Sequence, residues 1–184
     1  MRIIDLRPED EPAARQVAAL LVEGFREQAP DAWPTLDDAL REVRESFGTE
    51  RLSRVAVDED NVVLGWIGGI RQYDGNVWEL HPLVVHPGHR RRGIGRALVA
   101  DLEERVRERD GLTLWLGTDD ETGQTSLACV DLYHDVCAHI AAIRNLRGHP
   151  YEFYRRLGFV IVGVMPDANG LGKPDIYMAK SLRR

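Results

Sequence analysis

Only two of the 184 residues are cysteine, Cys129 and Cys137. They stand eight apart in a stretch whose spacing predicts helix, a rise of about 12 Å, too far for a disulfide. Both are therefore expected to be small buried thiols in a reducing compartment. No apolar run approaches the roughly 20 residues that cross a bilayer, and the opening MRIIDLRPED lacks the apolar core of a secretory signal. A soluble, cytoplasmic protein is expected. Basic charge is also short, with Lys+Arg 24 against Asp+Glu 30 and a formal net charge of -6. Such a field repels polyanions and disfavours general nucleic-acid binding. No GxxxxGKS/T occurs, which excludes a P-loop nucleotidase, and the GxG at 93–95 fails to continue into GxGxxG. Repeats and low-complexity tracts are absent too.

What is present is a chain 43% hydrophobic and 29% charged, the balance of a single globular domain over residues 1–184. At this length folding buries roughly 70% of the surface the unfolded chain exposes, enough for a core without metal or disulfide. A strand over 3–6 is followed by a helix from about Pro12, with Val17, Leu20, Leu21 and Phe25 on one face. Thr35 is a good N-cap for a second helix with Leu36, Leu40, Val43 and Phe47 in register and Gly48 at its stop. Strands over 52–57, 62–73 and 77–85, separated by Glu59-Asp60-Asn61 and Asp74-Gly75-Asn76, predict an antiparallel meander. Pro82 cannot donate to a ladder, so the third strand should carry a bulge or a splayed edge there. A helix over 93–110 (Ile94, Leu98, Leu102, Val106) and a buried strand over 112–117 come next. Residues 118–148 read as an insertion, a polar loop and a helix carrying Leu132, Val136, Ile140 and Ile143. A short helix over 150–157 stopped by Gly158, a strand over 159–164, the turn DANGLGKP and a strand over 176–180 complete the pattern.

The stretch richest in chemistry is LVVHPGHRRRGIGRAL, residues 83–98, where a strand ends, a Gly/Arg loop follows and a helix begins. Gly93 and Gly95 let backbone approach a ligand, and the first-turn amides and helix dipole favour negative charge. Arg90, Arg91, Arg92 and Arg96 add positive charge in an otherwise acidic chain, and guanidinium geometry suits phosphate oxygens.

Arg90 to Gly95 matches the R/Q-x-x-G-x-G/A signature of the GNAT superfamily of N-acetyltransferases, and the order of elements resembles that family over nearly the whole chain. WELHPLVV (78–85), LGTDD (116–120), HPYEFYRRLGF (149–159) and IVGVMPDANGLGKPDIYMAKS (161–181) resemble one branch, the aminoglycoside 6'-N-acetyltransferases. The resemblance implies an α/β fold with a mixed, mostly antiparallel central sheet flanked by helices, splayed between the strand before the signature loop and the strand after its helix. It also implies acetyl-CoA as cosubstrate and no metal. The pyrophosphate would lie on Arg90, Arg91, Arg92, Gly93, Ile94, Gly95 and Arg96, and the pantetheine beside Leu83, Val84 and Val85.

N-acetyl transfer needs a neutral amine, a path for its proton, a donor to the developing oxyanion and an acid for the leaving thiolate. Glu79 and His81 alternate along a strand and so share a face, where either could take the proton directly or through water. Glu79 could equally bind a cationic amine. The family resemblance adds the Leu83 amide as donor to the acetyl carbonyl and Tyr154 as general acid near the sulfur and a coenzyme contact; Arg147 stands where many members have asparagine. Asp119 follows a strand on what would be the acceptor side, and Trp33 and Tyr73 could stack on sugar rings.

The expected activity is transfer of acetyl to the 6'-amino group of an aminoglycoside by direct attack in a ternary complex, conferring resistance. Neither cysteine falls in this site, which argues against a covalent enzyme intermediate. Rival readings are a GNAT enzyme acting on a polyamine, protein amine or other small cation, and a non-catalytic acetyl-CoA-binding module. The resemblance also implies a homodimer, for which the 119–148 insertion offers one packing surface.

Overall fold

The computed structural model describes residues 1–27 and 29–183. The chain forms two compact units, residues 1–114 and a second from Trp115 onward. Its strands are mostly antiparallel and flanked by helices, an α/β architecture.

In the first unit four strands, β1 (Arg2–Asp5), β2 (Arg51–Val57), β3 (Val63–Gln72) and β4 (Val77–Val85), form an antiparallel meander in that order. Asp10 caps α1 (Glu11–Phe25) by accepting from the Ala13 amide at 3.1 Å, with Pro12 in the first turn where no N–H is missed. Thr35 caps α2 (Leu36–Glu45) through the Asp38 amide at 3.2 Å. That helix closes at Ser46, two residues before Gly48, because the Ser46 amide and hydroxyl both bond back to the last turn. Leu36, expected on its apolar face, is instead 42% exposed; it sits in the first turn, before the stripe of Ala39, Leu40 and Val43 enters the core.

α1 and α2 cover one face of this sheet, packing on Val55, Val57, Val63, Trp66 and Val84. α3 (Ile94–Arg107) covers the other, with Leu98 and Leu102 against Gly65 and Gly69 of β3. Arg54, 8% exposed, ties three elements: Nε and Nη2 donate to Asp101 of α3 at 2.6 and 3.0 Å, and Nη1 pairs with Asp5 of β1. A buried guanidinium is tolerated because both carboxylates neutralise it.

In the second unit β5 (Thr113–Asp119), whose first two residues belong to the unit before, neighbours β7 (Asp175–Ser181), which pairs antiparallel with β6 (Val160–Met165). The helix expected to carry Leu132 through Ile143 is only α4 (Val136–Ala141), capped by Asp135. Leu132 lies before it, in a turn, yet is 3% exposed. Both cysteines are exposed, which corrects the expectation of buried thiols: Cys129 sits in a turn at φ 59, and Cys137 faces outward from α4. They are unpaired, although the single helix from which their separation was argued is absent, since Cys129 lies outside α4. α5 (Tyr151–Arg156) begins at Pro150 and stops where Gly158 takes φ 92.

Candidate active site

The bulge expected at Pro82 is present. Ile67 pairs with Leu83 and Gly69 with Leu80, so Gly68 alone opposes His81 and Pro82, whose peptide bond is cis. A Cβ on Gly68 would lie 2.1 Å from the His81 carbonyl oxygen, so only glycine fits. The extra residue re-aims the strand. Cross-strand partners share a side; Leu80 lies with Gly69 on the α3 side, leaving Glu79 and His81 on the α2 side, as their alternation predicts. Beyond the bulge the parity reverses: Val84 pairs with Trp66 and packs on α1 at Gly24, while Leu83, opposite Ile67, turns to the α3 side. Val84 therefore offers a ligand only its backbone.

Glu79 is half-buried, and its Oε2 accepts from Gln72 Nε2 at 2.6 Å. His81, its side chain 44% exposed, has Nε2 3.9 Å from Glu42 Oε1 of α2. Its ring lies 6.2 Å from that of Trp33, which packs edge-on against Phe25 at 4.7 Å. The structure thus joins Trp33, His81 and Glu42, beside a recess lined by Asp31, Trp33, Asp38 and Glu45. Tyr73, 75% exposed, occupies the tight turn after β3 at φ 47.

After β4, His86 Nδ1 caps a 3₁₀ turn through the Gly88 amide at 3.1 Å. Arg90 is pinned to the Gly24 carbonyl at 3.1 Å, and Arg91, Arg92 and Arg96 are exposed. Gly93 caps α3 at φ 86, a left-handed conformation costly for other residues. A Cβ there would meet no atom within 4 Å, so the backbone lies open to a ligand. Unpaired first-turn amides, an open glycine and free guanidinium groups fit a polyphosphate. Ile94, 4% exposed, anchors the turn in the core.

In the second unit Tyr154 lies on α5 with its ring against Phe153 and Phe159, at 5.1 and 5.8 Å. It is 9% exposed, and burial pushes its phenol well above its ordinary value, so the hydroxyl keeps its proton at any physiological pH. Asp119, exposed at the end of β5, accepts from the Asn169 side chain, while Asp120 turns inward to take the Gln124 and Thr125 amides at 2.6 and 2.7 Å. His149, 2% exposed, accepts the Tyr151 amide at Nδ1 (3.2 Å), which assigns the proton to Nε2, 3.0 Å from the Asp119 carbonyl. Burial holds its pKa below the ordinary value, against the opposing pull of the Asp119 carbonyl and the Asp120 and Asp119 charges. Among the described residues no group of three or more His, Cys, Asp or Glu could hold a metal ion, and no helix is long and apolar enough to cross a membrane.

Residues 16–136 match the acetyltransferase (GNAT) family. The chain belongs to that family. Among its relatives, the mycothiol acetyltransferase of Kineococcus radiotolerans is 34% identical over 112 residues, 60% of this GNAT chain; the match spans only 36% of that protein's length. An aminoglycoside 6'-N-acetyltransferase crystallised with coenzyme A is 43% identical, over 99% of this chain and 97% of that one, with a TM-score of 0.90. The aminoglycoside 6'-N-acetyltransferase from Enterococcus faecium is also 43% identical over the same shares, with a TM-score of 0.88.

Three residues of this GNAT chain escape the sequence reading. Glu42 reaches His81 from a helix the sequence leaves without chemistry, though a carboxylate beside the buried Val43 was a usable signal. Gln72 gave none, since its partner is seven residues on, across a turn. His149 stands inside the quoted HPYEFYRRLGF, but only the fold shows that both its nitrogens are engaged.

Proposed function

We propose that this GNAT protein transfers acetyl from acetyl-CoA to the 6'-amino group of aminoglycosides, and so confers resistance to them. The observation that carries the reading is 43% identity, over 99% of the chain, to a 6'-N-acetyltransferase of that class. Acetyl-CoA supplies the activated acetyl group as a thioester. Arg90, Arg91, Arg92, Arg96 and the amides of Gly93, Ile94 and Gly95 would hold its pyrophosphate, with Leu83, Val84 and Val85 offering backbone to the pantetheine. Glu79 binds the acceptor's ammonium group and takes its proton, directly or through water, with His81 beside it. The Leu83 amide, just past the bulge, donates to the acetyl oxygen. Tyr154, kept protonated by burial, gives its proton to the departing thiolate and contacts the coenzyme. Trp33, Tyr73 and Asp119 receive the sugar rings and further ammonium groups of the polycation. The whole chain acts as one N-acetyltransferase domain in the cytoplasm, as a homodimer, which light scattering on the eluted protein checks.

The deciding experiment follows thiol release from acetyl-CoA with kanamycin A and with its 6'-hydroxy analogue. Release with the first and none with the second is expected; silence with both, while acetyl-CoA still raises the melting temperature, refutes the acceptor and keeps the family. The 34% identity to a mycothiol acetyltransferase favours testing one further reading, a different amine as the selected acceptor. A kcat/KM for a polyamine above that for kanamycin A would establish it.

A further inference from the structure

Glu79 meets a side chain from across the sheet. Gln72 ends β3 opposite Val77, so Glu79 is its diagonal partner on the same side of the β3–β4 ladder. The Gln72 amide donates to Glu79 Oε2 at 2.6 Å. We propose that Gln72 is a positioning residue for acetyl transfer: it locks the Glu79 carboxylate through Oε2 and reserves Oε1 for the acceptor amine. The inference rests on the role given to Glu79 above.

The physics favours this division. A hydrogen bond from across the sheet fixes a side chain with three rotatable bonds that a half-exposed strand position would otherwise leave free. That restraint acts on the step in which the amine must be oriented for attack. The amide is a better partner than a cation here, because it orients the carboxylate without cancelling the charge that attracts an ammonium group. Gln72 lies one residue before the left-handed Tyr73 in the turn joining β3 to β4, so the turn itself sets the diagonal register.

The test compares Gln72→Leu, Gln72→Lys and Glu79→Gln with wild type, using acetyl-CoA and kanamycin A. In Gln72→Leu the donor is lost: kcat falls about tenfold or more, while acetyl-CoA affinity is unchanged. In Gln72→Lys a donor is restored, and kcat recovers part of the loss. A purely structural role lowers the melting temperature and kcat alike in both variants, with no recovery when a donor is restored. Unchanged kcat in Gln72→Leu, or an equal loss in both Gln72 variants, with Glu79→Gln inactive, overturns this inference and leaves the Glu79 role standing. Full turnover in Glu79→Gln overturns both.

Discussion

Single side chains in this protein are placed by burial as much as by chemistry. Tyr154 and His149 are both nearly enclosed, and the same desolvation moves them oppositely, because the charged form of one is an anion and of the other a cation. For Tyr154 the result is a proton that stays in place until a stronger base appears beside it. For His149 it is a neutral imidazole joining the end of β5 to the start of α5. Its depressed folded value has a definite sign in stability: the unfolded chain binds the proton from about pH 6.5 downward, while the folded chain resists it. The stabilisation is therefore whole above about pH 6.5 and is lost as the pH falls towards the folded value. Melting temperature measured from pH 7.5 down to 5 should drop in wild type, and His149→Gln should flatten that dependence.

At the level of elements, the β3–β4 pair does most to shape the candidate site. One extra residue opposite Gly68 lets β4 present Glu79 and His81 on the α2 side and then Leu83 on the α3 side, something a regular strand of fixed alternation cannot do. Gly68→Ala should cost about 2 kcal/mol by forcing a methyl group against the His81 carbonyl. In a protein of this size that is a fall of roughly 4–8 °C in melting temperature, read by calorimetry. The proline pointed to this irregularity from sequence alone, since a missing N–H is a local fact. The reversal of parity was not legible, because it depends on which partner residue faces the bulge. The strands and capped helices of the first unit were legible for the same local reason, whereas 118–148 was not. Its loop is held by the buried carboxylate of Asp120 and by Asn145, which accepts the Gly148 and His149 amides, contacts that leave no periodic trace.

Over the whole molecule, a net charge of -6 coexists with a cluster of arginines at 90, 91, 92 and 96. Attraction of an anionic cosubstrate is therefore local rather than global, and salt should screen it strongly. Arg91→Gln with Arg92→Gln should raise the KM for acetyl-CoA about tenfold at low ionic strength, a gap that narrows in 1 M salt, where the Debye length is about 3 Å. Exposure of Cys129 and Cys137 bears on how such kinetics are followed. An aromatic disulfide reagent that colours as it captures liberated coenzyme exchanges with any accessible thiolate. Each polypeptide will thus contribute a stoichiometric burst of up to two equivalents before turnover is seen. Serine at both positions gives a silent baseline, and a fluorescent maleimide on the native chain reports from the second unit alone.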